Sequence, residues 1–240
     1  MKKILGAIAA LAMTVGLAAC GTPVSQGTAN QNQLVVGMEA GYPPFNWTQK
    51  DDSNGAVKIQ GTDQYAGGYD VEIAKRVAKQ LGKELVIVKT EWDGLTPALV
   101  SGKIDAIIAG MSPTEERKAT IDFTDSYYDS QLVLVVKKGS KYANATSLAD
   151  FAGAKVTAQL NTFHYSVIDQ IPGVEKQVAM DNFPAMRVAL QAGTIDAYVS
   201  ELPEALSAQA ANSDFVMVKL TDGFKVSPED IQTAVGVKKD

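Results

Sequence analysis

One short segment of this chain occurs twice. Ala98-Leu99-Val100-Ser101-Gly102-Lys103-Ile104-Asp105-Ala106 is echoed by Ala189-Leu190-Gln191-Ala192-Gly193-Thr194-Ile195-Asp196-Ala197. Each copy reads as the end of a helix, a glycine stop and a strand entered through Ile-Asp-Ala. Solenoid repeats recur every roughly 20 to 50 residues and more than twice. Two copies this far apart predict two similar α/β lobes instead.

The pattern around each copy agrees. In the first half, residues 34–38 read as a short buried strand and 48–64 as a polar surface excursion shaped as a hairpin. A helix over 70–81 follows, capped by Asp70, with Val71, Ala74, Val77, Ala78 and Leu81 on one face and Gly82 as its stop. Residues 84–89 read as a strand, 96–101 as a short helix and 104–109 as a strand. In the second half a short helix ends at Phe151-Ala152-Gly153, and strands at 155–158, 195–200 and 215–219 alternate with helices at 163–170, 183–191 and 203–211. Pro203 suits a helix start. Strands and helices alternating in this way imply βαβ units and a mainly parallel sheet in each lobe.

Composition limits the function classes. A formal net charge of −5, with Lys and Arg scattered among Asp and Glu, excludes a basic nucleic-acid-binding surface. Cys20 is the only cysteine, so no intrachain disulfide supports the fold. His164 is the only histidine; with no Cys, Asp or Glu clustered at it, it reads as a helix-surface or pocket-wall residue rather than a metal ligand. Asp122, Asp125 and Asp129 lack the glycine and closing Glu of a calcium loop and read as a solvated face. Trp47 and Trp92 read as packing residues. No Ser-His-Asp set and no phosphate-binding glycine loop is present, so no cofactor or metal is expected.

The N-terminus reads as an export signal. Lys2 and Lys3 precede an apolar stretch over 4–17, shorter than the roughly 20 residues that span a bilayer. Leu17-Ala18-Ala19-Cys20 resembles the bacterial lipoprotein box, which implies cleavage before Cys20 and a lipid on its thiol; an uncleaved anchor and a plain signal are the alternatives. The uncharged, small and polar stretch from 21 to 33 reads as a flexible tether.

In open α/β sheets, ligands bind beyond the carboxyl ends of the strands. The first echoed strand leads into Ala109-Gly110-Met111-Ser112-Pro113-Thr114-Glu115-Glu116-Arg117. Ser112 with Glu115 forms a capping-box pattern, and Pro113 suits the first turn. A helix starting there presents free N–H groups to an anion. Arg117 can fork onto a carboxylate, or pair with Asp122 or Asp125. The second echoed strand leads into Glu201, which can accept from an ammonium or merely favour the dipole of the next helix. An anion grip in one lobe and a cation grip in the other suit a zwitterion, with an α-amino acid as the natural candidate.

At these residues the chain resembles the polar amino-acid family of solute-binding proteins. The resemblance is carried by Val36-Gly37-Met38-Glu39-Ala40-Gly41-Tyr42-Pro43-Pro44-Phe45, by Gly67-Gly68-Tyr69-Asp70-Val71-Glu72-Ile73-Ala74, by Trp92-Asp93-Gly94-Leu95 with Pro97-Ala98-Leu99, and by the run from Gly102 to Arg117. It covers nearly everything from residue 34 onwards. It implies a two-lobed periplasmic-binding-protein-like clamp, joined by two crossing strands, that serves the permease and ATPase of an ABC importer and closes on its ligand about a hinge. The boundaries it suggests are a signal over 1–19, a tether over 20–33, a first lobe over 34–128 with a returning segment at 232–240, and a second lobe over 129–231. The crossings fall near 128–131 and 227–234.

The resemblance places Ala109, Gly110, Ser112 and Arg117 in the ligand site, the last three on the ligand carboxylate, with Thr162 reaching across from the second lobe. Glu201 takes the α-ammonium, and the rings of Tyr42 and Tyr69 sandwich the ligand side chain. Glu39 occupies a place where relatives that prefer cationic ligands keep a carboxylate, and Gln159 completes that pocket. Cation–π attraction between the tyrosines contributes about 0.5–2 kcal/mol for a guanidinium. Arginine is therefore the leading ligand, followed by lysine and ornithine; glutamine and cystine are alternatives. So are a dehydratase-like enzyme on the same fold, with Glu39 or Glu201 as its acid, and a sensory ectodomain or adhesin. Two features depart from the family pattern. Positions 161–163 read Asn-Thr-Phe where relatives often have Gly-Thr-Thr or Gly-Thr-Gly, and the chain stops at Asp240 where relatives add a final helix or two, which reads as a truncated frame. The expected product is a non-enzymatic, lipid-anchored monomer on the extracytoplasmic face.

Overall fold

The computed structural model describes residues 31–239. The export signal, Cys20 and most of the tether lie outside the described residues. The chain opens with β1 (Gln33–Met38), then β2 (Gly41–Tyr42), β3 (Asn46–Gln49), β4 (Val57–Lys58) and β5 (Tyr65–Gly67). There follow α1 (Tyr69–Leu81), β6 (Glu84–Lys89), α2 (Trp92–Val100), β7 (Ala106–Ile107), α3 (Glu115–Lys118) and β8 (Ile121–Asp129). A second series comprises β9 (Leu132–Lys137), β10 (Lys155–Thr157), α4 (Phe163–Val167), β11 (Glu175–Lys176), α5 (Phe183–Ala192), β12 (Ala197–Glu201), α6 (Leu202–Ala211) and β13 (Phe215–Val218). β14 (Gln232–Lys238) ends the described chain.

Two sheets form, in the orders β6-β1-β7-β14-β8 and β11-β10-β12-β9-β13. In each, three neighbouring strands run parallel and the other two pair antiparallel. The lobes are therefore α/β, with sheets more mixed than the βαβ pattern alone suggests. The antiparallel strands β8, β9 and β14 are those that carry the chain between lobes. β8 ends in the first sheet, β9 begins in the second, and β14 returns to lie against β8, with Ser130 N–H donating to Ile231 O at 2.7 Å where the two crossings meet.

The echoed segments are one device used twice. Gly102 (φ +74°) and Gly193 (φ +76°) each stop a helix in the left-handed region that glycine favours. Asp105 then accepts from Val35 N–H at 2.8 Å through its carboxylate and donates its own N–H to Val35 O at 2.8 Å. Asp196 repeats this on Lys155, at 2.9 and 2.8 Å. Each aspartate thus clamps the neighbouring parallel strand, β1 or β10, to the strand that follows the aspartate, β7 or β12. Leu99, Leu190, Ile104 and Ile195 are all buried beneath.

Each lobe has an apolar core, one around Val36, Ile87, Leu95 and Ile107, the other around Leu134, Phe151, Val156 and Ile168. A third cluster joins Tyr42 and Phe45 of the first series to Phe183, Met186 and Tyr198 of the second. It packs the lobes against each other beside the hinge strands.

Several local expectations are corrected. Gly68, not Asp70, caps α1, and Asp70 is fully buried in its first turn. The excursion over 48–64 is part of a four-stranded sheet, order β2-β3-β5-β4, rather than a lone hairpin. α2 begins earlier than position 96, at Trp92, and carries Pro97 inside. The helix expected over 163–170 ends as a 3₁₀ turn after Val167.

Candidate functional site

The carboxyl ends of β1, β7, β10 and β12 meet where the lobes face each other. The register pairs Val36 with Ala106 and Val156 with Ala197, so Glu39 and Gln159 follow their strands at matching places. Both are buried. Gln159 Nε2 donates to both oxygens of Glu39, at 3.2 and 3.0 Å, and to Asp181 O at 3.0 Å. Burial pushes the Glu39 carboxyl up to about 7, against the lowering effect of the Gln159 bond.

Gly110 and Glu201 are likewise matched. Gly110 lies at φ +62°, and a Cβ there would fall 2.7 Å from the Tyr42 ring, so only glycine lets the loop approach that ring. Its N–H donates to Tyr127 Oη at 3.2 Å, and Tyr127 donates to Asp70 at 2.7 Å. The buried Asp70 also accepts from Asn46 at 2.7 Å, so it anchors the loop from behind. Glu201 is 1% exposed, and its Oε2 accepts a short bond from Tyr42 Oη. Burial raises its carboxyl to about 7, opposed by the Tyr42 bond and by Arg117. Glu201 Oε1 has no hydrogen-bond partner among the described residues.

Arg117 sits on the single turn of α3. The expected Ser112 cap is not used: Thr114 caps the turn, accepting from Arg117 N–H at 3.3 Å. Ser112 O accepts from Thr114 N–H at 2.9 Å and from the Arg117 guanidinium at 3.0 Å. The other guanidinium nitrogen donates to Asn161 O at 3.2 Å, and the group lies 5.1 Å from the Trp92 ring centre. Lys239, not Arg117, approaches Asp122, at 3.8 Å. Burial lowers the Arg117 pKa to about 10, which leaves the group charged at neutral pH.

Glu39, Tyr42, Gly110, Ser112, Arg117, Gln159 and Thr162 line one narrow cavity of about 10 Å³, room for about one water. Thr162, whose Oγ1 donates to Gln159 O at 2.7 Å, caps this wall. Glu201 reaches the same place through its Tyr42 bond and lies 4.0 Å from His164, another lining residue. The lobes are closed on each other, with Tyr42 bonded to Glu201, Glu39 to Gln159 and Asp93 to Asn161 across the cleft. The structure does not bring Tyr69 to this cavity. As the first residue of α1 it is 41% exposed, and its ring packs on Tyr127 and Tyr128. Tyr42 stacks instead on Phe45 and Phe183, at 5.1 and 4.5 Å. Ala109 is buried in the first core and does not line the cavity.

Trp92, Asn161 and Phe183 were not singled out from sequence as site residues, and each takes part, beside His164, whose pocket-wall reading agrees with its place in the lining. Trp92, Phe183 and His164 line the cavity. Asn161, left-handed at φ +53°, is a latch between lobes. Its side chain donates to Asp93 at 2.9 Å, and its carbonyl accepts from Trp92 Nε1 at 3.4 Å and from Arg117. The signal for Trp92 was its place in Trp-Asp-Gly-Leu, and for Asn161 the departure from glycine. Among the described residues no acidic, His or Cys group is arranged to hold a metal ion, and no helix is long and apolar enough to cross a membrane.

Two α/β lobes linked by crossing strands, with ionisable groups of both signs converging on a closed cleft, define a solute-binding clamp. Residues 34–177 match the model of the bacterial extracellular solute-binding proteins, family 3, and the chain belongs to that family. The arginine-binding extracellular protein ArtP of Bacillus subtilis is 35% identical over 162 residues, 68% of this chain and 57% of that protein. A probable histidine-binding protein of Campylobacter jejuni is 32% identical over 229 residues, 93% of this chain and 83% of that protein. Among solved structures, holo ArgBP of T. maritima superposes with a TM-score of 0.71 at 34% identity, covering 87% of this chain and 84% of that one. AbpA of Streptococcus pneumoniae bound to L-arginine gives 0.74 at 28% identity, covering 88% and 83%.

Proposed function

We propose that this chain is the extracytoplasmic binding component of an amino-acid ABC importer, closing about its hinge strands on a cationic L-amino acid, with arginine first. The observation that carries the reading is the charge set at the cleft: one guanidinium, Arg117, and two buried carboxyls, Glu39 and Glu201. Arg117 with Ser112, Gly110 and Thr162 receives the ligand carboxylate, and Glu201 receives its ammonium. Glu39, 4% exposed, then accepts from the ligand's distal donors in exchange for Gln159. Binding arginine keeps both buried carboxyls paired, which an uncharged side chain does only at Glu201. The relatives named for arginine support this choice, while those named for histidine, cystine and glutamine keep the ligand class wider. A ligand-binding role without turnover, a monomer, export, and a lipid on Cys20 holding the chain to the membrane beside its permease and ATPase belong to the same proposal.

The test is a thermal-shift panel of the protein amino acids with ornithine and cystine, on protein stripped of carried-over ligand. At about a thousand times Kd, a ligand stabilises by about 4 kcal/mol. A shift confined to arginine, lysine and ornithine is expected. A shift with glutamine or cystine alone would keep the clamp and overturn the role of Glu39, and no shift with any amino acid would overturn the function.

A further inference from the structure

Three buried polar atoms with no hydrogen-bond partner among the described residues cluster at this cavity: Nδ1 and Nε2 of His164, and Oε1 of Glu201. The side chains are only 9% and 1% exposed, and Nε2 lies 4.0 Å from Oε1, too far for a bond between them. The ring is held by its neighbour Phe163, whose centre lies 4.2 Å away, and by its place in the first turn of α4 behind the Thr162 cap. An apolar side chain would fill this position without burying an unpaired imidazole, which is unfavourable. The arrangement therefore calls for a donor between the two residues.

We propose that His164 contacts the ligand, its Nε2 and Glu201 Oε1 together accepting two hydrogen bonds from the α-ammonium of the bound amino acid. Two acceptors 4.0 Å apart, each about 2.8 Å from one nitrogen, subtend about 90° there, within reach of an ammonium's tetrahedral donors. A carboxylate offers only acceptors, which Glu201 repels. A group with one donor leaves one of the two atoms unpaired. The role needs a neutral ring with a bare nitrogen. Burial, and secondarily the Arg117 charge, hold the His164 pKa down to about 3, so the ring is neutral near pH 7. The inference rests on the amino-acid reading above and adds to it a second ammonium ligand from α4.

The test uses the full chain with L-arginine and with 5-guanidinopentanoic acid, which is arginine without its amino group. Should the panel select another amino acid, that amino acid and its desamino analogue replace the pair. His164→Phe keeps an aromatic ring against Phe163, and calorimetry should find it binding arginine about ten- to a hundredfold more weakly, the loss expected for one charged hydrogen bond. Its affinity for the desamino analogue should match wild type. The chain has one histidine, so the ¹⁵N resonances of its ring are unambiguous in the wild-type protein. Arginine should move the acceptor nitrogen upfield, and the desamino analogue should not. Wild-type arginine affinity in the variant, equal losses for both ligands, or a ring that ignores arginine while the protein binds it would each overturn the role of His164. A wild-type protein that binds no amino acid overturns the parent reading instead.

Discussion

Glu39 meets Gln159 because the two lobes repeat one another. Each follows the strand that the repeated aspartate clamps, β1 in one lobe and β10 in the other, and the matching positions lie face to face. In the closed form the Gln159 amide supplies the donors that a guanidinium would supply to a bound Glu39. Glu39→Gln should therefore weaken arginine binding by about 1.5–3 kcal/mol, the value of a charged hydrogen bond, and leave glutamine binding within about threefold. Calorimetry with both ligands measures this, and equal losses would remove Glu39 from selectivity. Arg117→Ala or Glu201→Ala should cost about 3–5 kcal/mol of binding, because each leaves a ligand charge buried and unpaired. Near-wild-type affinity in both would move the site elsewhere. Most of this set was legible in the sequence, since strand ends and residue charges are local properties. Tyr69 was not, because whether an aromatic at the start of a helix turns into a cleft depends on its neighbours: here Tyr127 and Tyr128 offer it a surface away from the cavity. Trp92 packs against the first core, as read, but its second partner was not legible, since Arg117 lies on another element.

At the level of elements, the repeated Ile-Asp-Ala was the most informative signal. The geometry supplies its reason: the aspartate closes a pair of hydrogen bonds on the backbone of the adjacent parallel strand. Asp105→Ala and Asp196→Ala should each cost about 1–2 kcal/mol of stability. They lie in different lobes, so their effects should add in the double variant, as read by denaturant midpoints at constant slope. Strong non-additivity would mean that the lobes do not hold these clamps independently. Gly110→Ala is more severe, since it meets both a positive φ and the Tyr42 ring; a loss of about 1–3 kcal/mol is expected, with weaker ligand binding because the loop before Ser112 must shift. The start of α3 shows where local reading stops. Ser112 and Thr114 are both good caps, two residues apart; the helix starts later than the capping-box pattern suggests, with Thr114 as its cap and the Ser112 carbonyl outside it, accepting from Thr114 N–H and the Arg117 guanidinium. The parallel strands β1, β6 and β7 were readable from hydrophobic runs. The antiparallel partners β9, β13 and β14 were not, because direction within a sheet is set by long-range pairing rather than by the run itself.

At the scale of the whole molecule, the proposed closure predicts a coupling to protons. Glu39 and Glu201 are buried where the lobes meet, and burial raises both carboxyls from 4.5 to about 7. With the lobes parted they return to water and to ordinary values. Between about pH 4.5 and 7 the closed, ligand-free form therefore holds protons that the open form releases, and lowering the pH favours closure. His164 acts in the opposite direction. Its pKa falls from 6.5 to about 3 on burial, so below pH 6.5 the open form holds the extra proton. Near pH 6 two carboxyls gain protons while one imidazole loses its own, a net uptake of about one, equivalent to about 1.4 kcal/mol per pH unit in favour of closure. Small-angle scattering of the ligand-free protein should accordingly show a smaller radius of gyration at pH 6 than at pH 8. Arginine should produce the same contraction at pH 8, because its cationic groups then pair the ionised carboxylates in place of protons. In Glu39→Gln/Glu201→Gln the ligand-free dimensions should no longer decrease on acidification, with His164 left as the only one of the three groups still titrating. Identical radii at pH 6 and 8 in the wild-type protein would show that the two carboxyls do not change environment between the open and closed forms.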